Sequence, residues 1–348
     1  MESLRIAVLV NRKHHVKPGL EAPPDALAEY DADETVAGLE SALRGSGHEV
    51  VVLEADETLV DSIRRVAPDL CFNIAEGLRG DAREAQIPAL LELLGIPYTA
   101  SKVLTNAISL DKVVTKRIWR DHGLPTAAFQ SFSCGAEPLD PRLSFPLFVK
   151  PAREGSGMGI NARSIVHDED ALREQMCWVI QTYRQPALVE RYLPGREFTV
   201  GLVGNTRLPG QPRRSEFYDE RGFHVFPVLE IDTQKGAVKG LYNTQAKSYA
   251  IEDEQAPGYI CPTDIPADLD AGLKRLAVAA FEAIDGLDVG RVDFRLDAGG
   301  HPHLVEINTL PGLNPLVSDM VIVSRAEGVP YPRLINEILN LARERYGI

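Results

Sequence analysis

The sequence predicts an α/β protein of three units: a doubly wound N-terminal α/β domain over residues 1–100, a small central lid domain over 101–193, and a C-terminal α+β domain over 194–348. Three observations lead there. Apolar runs alternate with helical periodicity from the N-terminus to DLCFNIAE, a glycine-rich loop follows a strand at Lys150, and an acidic hairpin lies near the C-terminus. At 348 residues the chain is too long for one compact core, which suggests two or three domains.

In chain order, LRIAVLV reads as a buried strand, residues 35–43 as a helix ended by Gly45 and Gly47, and EVVVLEA as a second strand. Residues 59–66 form a helix stopped by Pro68, and DLCFNIAE is a third strand. This alternation implies a parallel sheet. Ligands collect at the carboxyl ends of such strands, here near Asn11 and the loop from Glu76 to Gly80. The central unit opens with a helix carrying Asp111 and Lys112 and passes Gly123 and Pro125 to the strand FPLFVKP and the loop REGSGMGI. It closes with a helix over 171–182 and the strand PALVERYL, read as an edge strand or as the wall of a base pocket. The last unit ends in an amphipathic helix over 331–346.

Composition bounds the function. An apolar fraction of 44% and a charged fraction of 25% are ordinary for a globular protein. A net charge of -13 argues against nucleic acid as a partner. The first apolar run is too short for a signal peptide and no segment is long enough to span a bilayer, so the expected location is the cytoplasm, with no membrane partner. Cys71, Cys134, Cys177 and Cys261 lack metal-ligand spacing and read as reduced thiols.

Two segments carry chemistry. In GRVDFRLDAGGHPHLVEINTLPG, residues 290–312, a two-residue turn at Gly299-Gly300 pairs Ala298 with His301, setting Asp293 opposite Glu306 and Arg291 opposite Asn308 on one face. Facing carboxylates with Cβ atoms roughly 4.5–5.5 Å apart destabilise a sheet unless a cation lies between them. Asp293, Glu306 and Asn308 supply the hard oxygens that suit Mg²⁺. The alternative is a solvated hairpin whose carboxylates pair with Arg291 or water. In FVKPAREGSGMG, residues 148–159, Lys150 ends a strand, and Gly155, Gly157 and Gly159 free backbone N–H groups to approach an anion. The pattern is not a P-loop, and a plain glycine-rich hairpin is its simpler reading.

These segments occur together and in order. SLDKVVTKRIWRDHGLPT, FVKPAREGSGMG, LVERYLPGREFTV, GRVDFRLD and LVEINTLPGLNP resemble the ATP-grasp superfamily and, within it, the D-alanine–D-alanine ligase family, over roughly residues 71 to 348. The resemblance implies ATP and two Mg²⁺, with Mn²⁺ as a substitute, and an amide bond formed through an acyl phosphate with release of ADP and phosphate. It assigns the nucleotide phosphates to Lys112 and Lys150, adenine and ribose to Glu190, Tyr192, Leu193 and Glu197, and the metals to Asp293, Glu306 and Asn308. Lys247, in LYNTQAKS, matches a γ-phosphate lysine. Ser156 matches a serine of the family's loop, whose aromatic partner is not evident beside Ser248 and Tyr249. Arg291 and the backbone N–H of Gly312 are placed to receive a tetrahedral oxyanion. Small carboxylate and amine substrates and a homodimer are the implied partners.

The amino-acid half departs from the family. The family's glutamate-bearing stretch after the first strand corresponds to VNRKHHVKPGLEAPPDALAEYDADE, where Glu29 or Asp31 is left to supply the carboxylate. The family's L-H-G-x-x-G-E-D-G becomes IAEGLRGDAREAQ, with Glu76 in place of the histidine and Arg83 and Glu84 beyond it. LNPLVSDM replaces a T-x-x-S segment, leaving Ser318 as the candidate acceptor contact. The expected activity is ATP-dependent carboxylate–amine ligation of amino acids or related acids. Alternatives are authentic D-alanine–D-alanine ligation and a non-catalytic ATP-binding regulatory module.

Overall fold

The structure, a computed structural model, describes residues 2–17, 19, 22–208, 210–236, 239–247 and 249–348. The chain opens with β1 (Arg5–Val10), α1 (Asp33–Gly45), β2 (Glu49–Glu54), α2 (Leu59–Val66), β3 (Leu70–Asn73) and α3 (Gln86–Leu94). The three strands form a parallel sheet in the order β2-β1-β3. Both faces of β1 are covered, as its unbroken apolar run requires. Ile6, Val8 and Val10 belong to one buried cluster with residues of α1, whereas Ala7 and Leu9 belong to another with Leu59, Ile63, Ile87 and Leu91.

Two helices follow, α4 (Val103–Leu110) and α5 (Lys112–Asp121), where the sequence suggested one. The break is at Asp111, whose extended backbone and side chain cap α5 by accepting from the N–H groups of Val113 and Val114 at 3.0 Å. This capping aims Lys112 from the first helical position. Next come β4 (Phe129–Phe132), β5 (Leu147–Pro151), β6 (Ile165–Val166), α6 (Glu169–Tyr183) and β7 (Ala187–Arg191). They form an antiparallel sheet ordered β4-β7-β5-β6. PALVERYL is therefore an interior strand, not an edge.

The remaining chain contributes β8 (Glu197–Gly204), β9 (Phe223–Val225), β10 (Leu229–Asp232), α7 (Thr244–Lys247), β11 (Gly258–Ile260), α8 (Ala267–Glu282), β12 (Asp288–Leu296), β13 (Pro302–Asn308), α9 (Asp319–Ala326) and α10 (Tyr331–Tyr346). Its sheet runs β11-β10-β8-β12-β13, with β9 on β8. Helix α10 returns to pack against α1, so Leu334, Ile338 and Leu341 share a core with Ile6 and Val8. The four cysteines are free thiols. Among the described residues no helix is long and apolar enough to cross a membrane.

Candidate active site

The site is centred on the β12–β13 hairpin. Asp293 pairs with Glu306 and Arg291 with Asn308, as expected, but by a different route. The turn is not the two-residue one. Asp297 and His301 close a three-residue loop in which Gly300 alone has a positive φ of 81°, the geometry of a type I turn followed by a left-handed residue. This shifts the register by one next to the loop, pairing Leu296 with Pro302. A bulge between Phe294 and Asp293 shifts it back, so that Val305 and Glu306 share the space opposite Asp293. Leu304 and Ile307 can then both be buried, while Val305 and Glu306 line one cavity. The three-residue spacing of two buried residues in a strand is the trace that such a bulge leaves in a sequence.

Around Asp293 and Glu306 lie the cations. Arg291 donates to both Asp293 oxygens, Nε–Oδ1 at 3.0 Å and Nη2–Oδ2 at 2.8 Å, and stands 3.4 Å from Asp319 Oδ2. Lys112 Nζ lies 3.4 Å from Glu306 Oε2. Burial by itself would raise the pKa of Glu306, but Lys112, Lys150, Lys247 and Arg291 together hold it far below the usual carboxylate range. The Asn308 amide Nδ2 is buried without a partner. Pairing with Arg291, the simpler reading of these carboxylates, is thus present alongside the oxygen set expected to suit a metal.

Lys150 Nζ contacts Glu190 Oε1 at 2.8 Å, and Lys116 Nζ contacts Glu190 Oε2 at 2.9 Å. All three side chains are buried. Burial alone would raise the pKa of Glu190, but the two lysines bring it down to about 2, and the carboxylate serves to hold them in place. Sequence reasoning missed Lys116, although it lies one helical turn after Lys112 on α5. Tyr192 stacks on Phe148 at 6.5 Å and carries Arg295 over its ring at 5.5 Å, while Arg295 Nη1 reaches Glu197 Oε2 at 3.4 Å. Together with Leu193, Met158 and Ile160 these residues enclose a narrow cavity of about 90 Å³.

The loop REGSGMGI closes over that cavity. Ser156 and Gly157 have positive φ, and a Cβ on Gly157 would stand 2.6 Å from Asn243 Cα. Thr244 Oγ1 donates to the carbonyl of Ser156 at 3.1 Å, and Lys247 Nζ sits 4.5 Å over the Tyr242 ring. Ser248 lies outside the described residues.

A second cavity of about 530 Å³ adjoins the first, and Lys112, Tyr242 and Lys247 line both. Arg291, Asn308, Gly312 and Ser318 form its hairpin side, and Glu29, Asp31, Glu76 and Glu84 its N-terminal side. Asn11 assembles the latter, because its amide oxygen accepts from Gly77 N at 2.9 Å and its carbonyl accepts from Asp31 N at 2.9 Å. Ser318 Oγ accepts from Asn314 N at 2.9 Å, just ahead of α9. Arg83 departs from its expected place on the cavity wall. Its guanidinium is drawn to Glu29 Oε2 at 2.5 Å, Glu154 Oε2 at 2.9 Å and the Arg153 carbonyl at 2.9 Å, bracing the glycine loop. Sequence reasoning also missed Glu154 and Asp319.

The architecture and site define an ATP-grasp protein. Residues 118–340 match the family model described as D-ala D-ala ligase C-terminus. A protein of Sinorhizobium fredii described as "Uncharacterized protein y4sG" is 36% identical over 90% of this chain and 88% of its own length. The D-alanine–D-alanine ligase of Bordetella avium is 32% identical over 87% of each chain. The structure of the Bacillus anthracis D-alanine–D-alanine ligase complexed with ATP superposes with a TM-score of 0.72, at 21% identity and 99% coverage of both chains. The chain belongs to the D-alanine–D-alanine ligase family.

Proposed function

We propose that the protein is an ADP-forming carboxylate–amine ligase that joins amino acids or related acids through an acyl phosphate. The carrying observation is the seam between the two cavities, where Lys112, Lys247 and Arg291 meet Asp293 and Glu306, with Lys150 beside them. ATP binds with its adenine in the narrow cavity, among Tyr192, Leu193 and Met158, and its phosphates in the seam toward Lys112, Lys150 and Lys247. A carboxylate oxygen of the first substrate attacks the γ-phosphorus, the bond to ADP breaks, and an acyl phosphate forms. The amine then attacks the acyl carbon. Arg291 and the Gly312 N–H stabilise the oxyanion, phosphate leaves, and the amine loses its proton. Ser156 closes the loop over the transferring group, and Ser318 borders the acceptor.

The hairpin fits a hard divalent cation. Asp293 and Glu306 stand opposite each other, and the unpartnered Asn308 amide is free to turn its oxygen toward them. These three residues would hold Mg²⁺, leaving positions for phosphate oxygens, and the cation would neutralise charge on those oxygens. Incubation with ATP, Mg²⁺, hydroxylamine and single acids tests the reading. Hydroxamate with stoichiometric ADP is expected, whereas AMP and pyrophosphate would indicate adenylation.

A further inference from the structure

The N-terminal wall of the larger cavity is acidic beyond what one substrate ammonium would balance. Both oxygens of Glu29 have partners, one in Arg83 and the other in the backbone N–H of Gly155. Asp31, Glu76 and Glu84 are in a different condition. Asp31 Oδ2 is buried with no partner, and no described side chain or backbone group hydrogen-bonds to the carboxylates of Glu76 or Glu84. The nearby cations do not compensate. Arg83 is taken up by Glu29 and Glu154, Lys112 stands on Glu306, and Lys13 is exposed at the rim.

From this geometry we infer that the acid substrate is an amino acid bearing a second cationic group, a diamino or otherwise basic acid, with its two cations against the wall that Asp31, Glu76 and Glu84 share. The inference rests on the ligase reading above and names its substrate class. Burial, joined by the neighbouring carboxylates, raises the pKa values of Glu76 and Glu84, the latter to about 8, and burial raises that of Asp31 to about 7. These are carboxylates short of positive charge, and an ammonium group would supply it. Among the described residues no three acidic, histidine or cysteine side chains converge closely enough to hold a metal ion, so an organic cation is the better match for this charge.

Hydroxylamine as the universal amine isolates the choice of acid. The full-length protein with ATP and Mg²⁺ is offered lysine, ornithine, 2,4-diaminobutyrate, alanine, norleucine and glutamate, in both stereochemical forms, and hydroxamate is measured. The best basic acid should exceed its neutral counterpart in kcat/KM by about 10²-fold or more, since a site built around buried polar groups discriminates strongly against a ligand that leaves them unpaired. In Glu84→Gln and Asp31→Asn, each verified as folded by thermal melting, that ratio should fall by about tenfold or more. Neutral acids used as well as basic ones would overturn the inference while leaving the ligase reading intact. Hydroxamate from no acid would overturn both.

Discussion

Glu306 lies among four cations that outweigh its burial, and it shares the hairpin face with Asp293. On the proposed mechanism its charge is needed where phosphate is transferred, and the core does not depend on it. Glu306→Gln should therefore lower turnover by about 10²–10³-fold at saturating ATP and Mg²⁺, with the melting temperature nearly unchanged. Wild-type turnover would remove the hairpin from the mechanism. The acidic wall has a different signature. The folded-state pKa of Glu84 is raised from 4.5 to about 8 and that of Asp31 from 3.8 to about 7, so the folded protein holds protons that the unfolded chain has released. Stability of the substrate-free protein should fall as pH rises from about 5 to 8, each group contributing at most about 1.4 kcal/mol per unit within its window. Urea denaturation at both ends of that range measures the slope, and Glu84→Gln should flatten it. A slope that is absent or reversed would mean that these carboxylates are already neutralised. The residues proposed to carry the chemistry stood out because their types are rare together in such order: two lysines ahead of glycines, then two acids facing each other beside an asparagine. Arg83 was misjudged because its partners Glu29 and Glu154 lie far from it in sequence, 54 and 71 positions away.

At the scale of elements, strands and helices with one-sided or unbroken apolar patterns were read well, whereas turns and breaks were not. The helix over 59–66 and the C-terminal helix over 331–346 fall where the periodicity put them. The hairpin loop did not, because Gly-Gly satisfies both a two-residue turn and a three-residue one, and the choice depends on the bulge between Asp293 and Phe294, which restores the register on the site face. Helix α8 and strands β9 to β11 went unread, lying in stretches whose apolar residues only acquire a face once the six-stranded sheet exists. The glycine loop offers a test at this scale. Gly157 touches Asn243 so closely that Gly157→Val would meet the backbone while also straining a φ of 71°. The loop could not seat, and kcat/KM for ATP should drop by about 10²-fold. Because the loop adds little to any core, the melting temperature should stay within a few degrees. An unaffected kcat/KM would show that closure over the narrow cavity is not needed.

At the scale of the molecule, the N- and C-terminal parts of the chain are joined through a shared core and one buried carboxylate. Asp288 is fully buried and accepts from Ala100 N at 2.9 Å, Asn205 Nδ2 at 2.9 Å and Arg345 Nη2 at 2.7 Å, which links α10, β12 and the approach to α4. Asp288→Ala would leave Arg345 without this partner and should cost about 3–5 kcal/mol in chemical denaturation. A change below about 1 kcal/mol would mean that the link is incidental. This long-range join was invisible in the sequence, since it connects residues 188 apart through a side chain that a strand pattern treats as an interruption. The residues proposed for the nucleotide could be picked out because phosphate chemistry restricts them to a few types, whereas the carboxylates proposed for the substrate come from loops tied together by Asn11. The central claim, that a substrate carboxylate is phosphorylated in the seam between the two cavities, predicts where an oxygen atom goes. With the acid labelled with ¹⁸O in its carboxylate, one labelled oxygen should appear in the inorganic phosphate released with ADP during amide formation. Label found in AMP, or absent from the phosphate while amide accumulates, would contradict it.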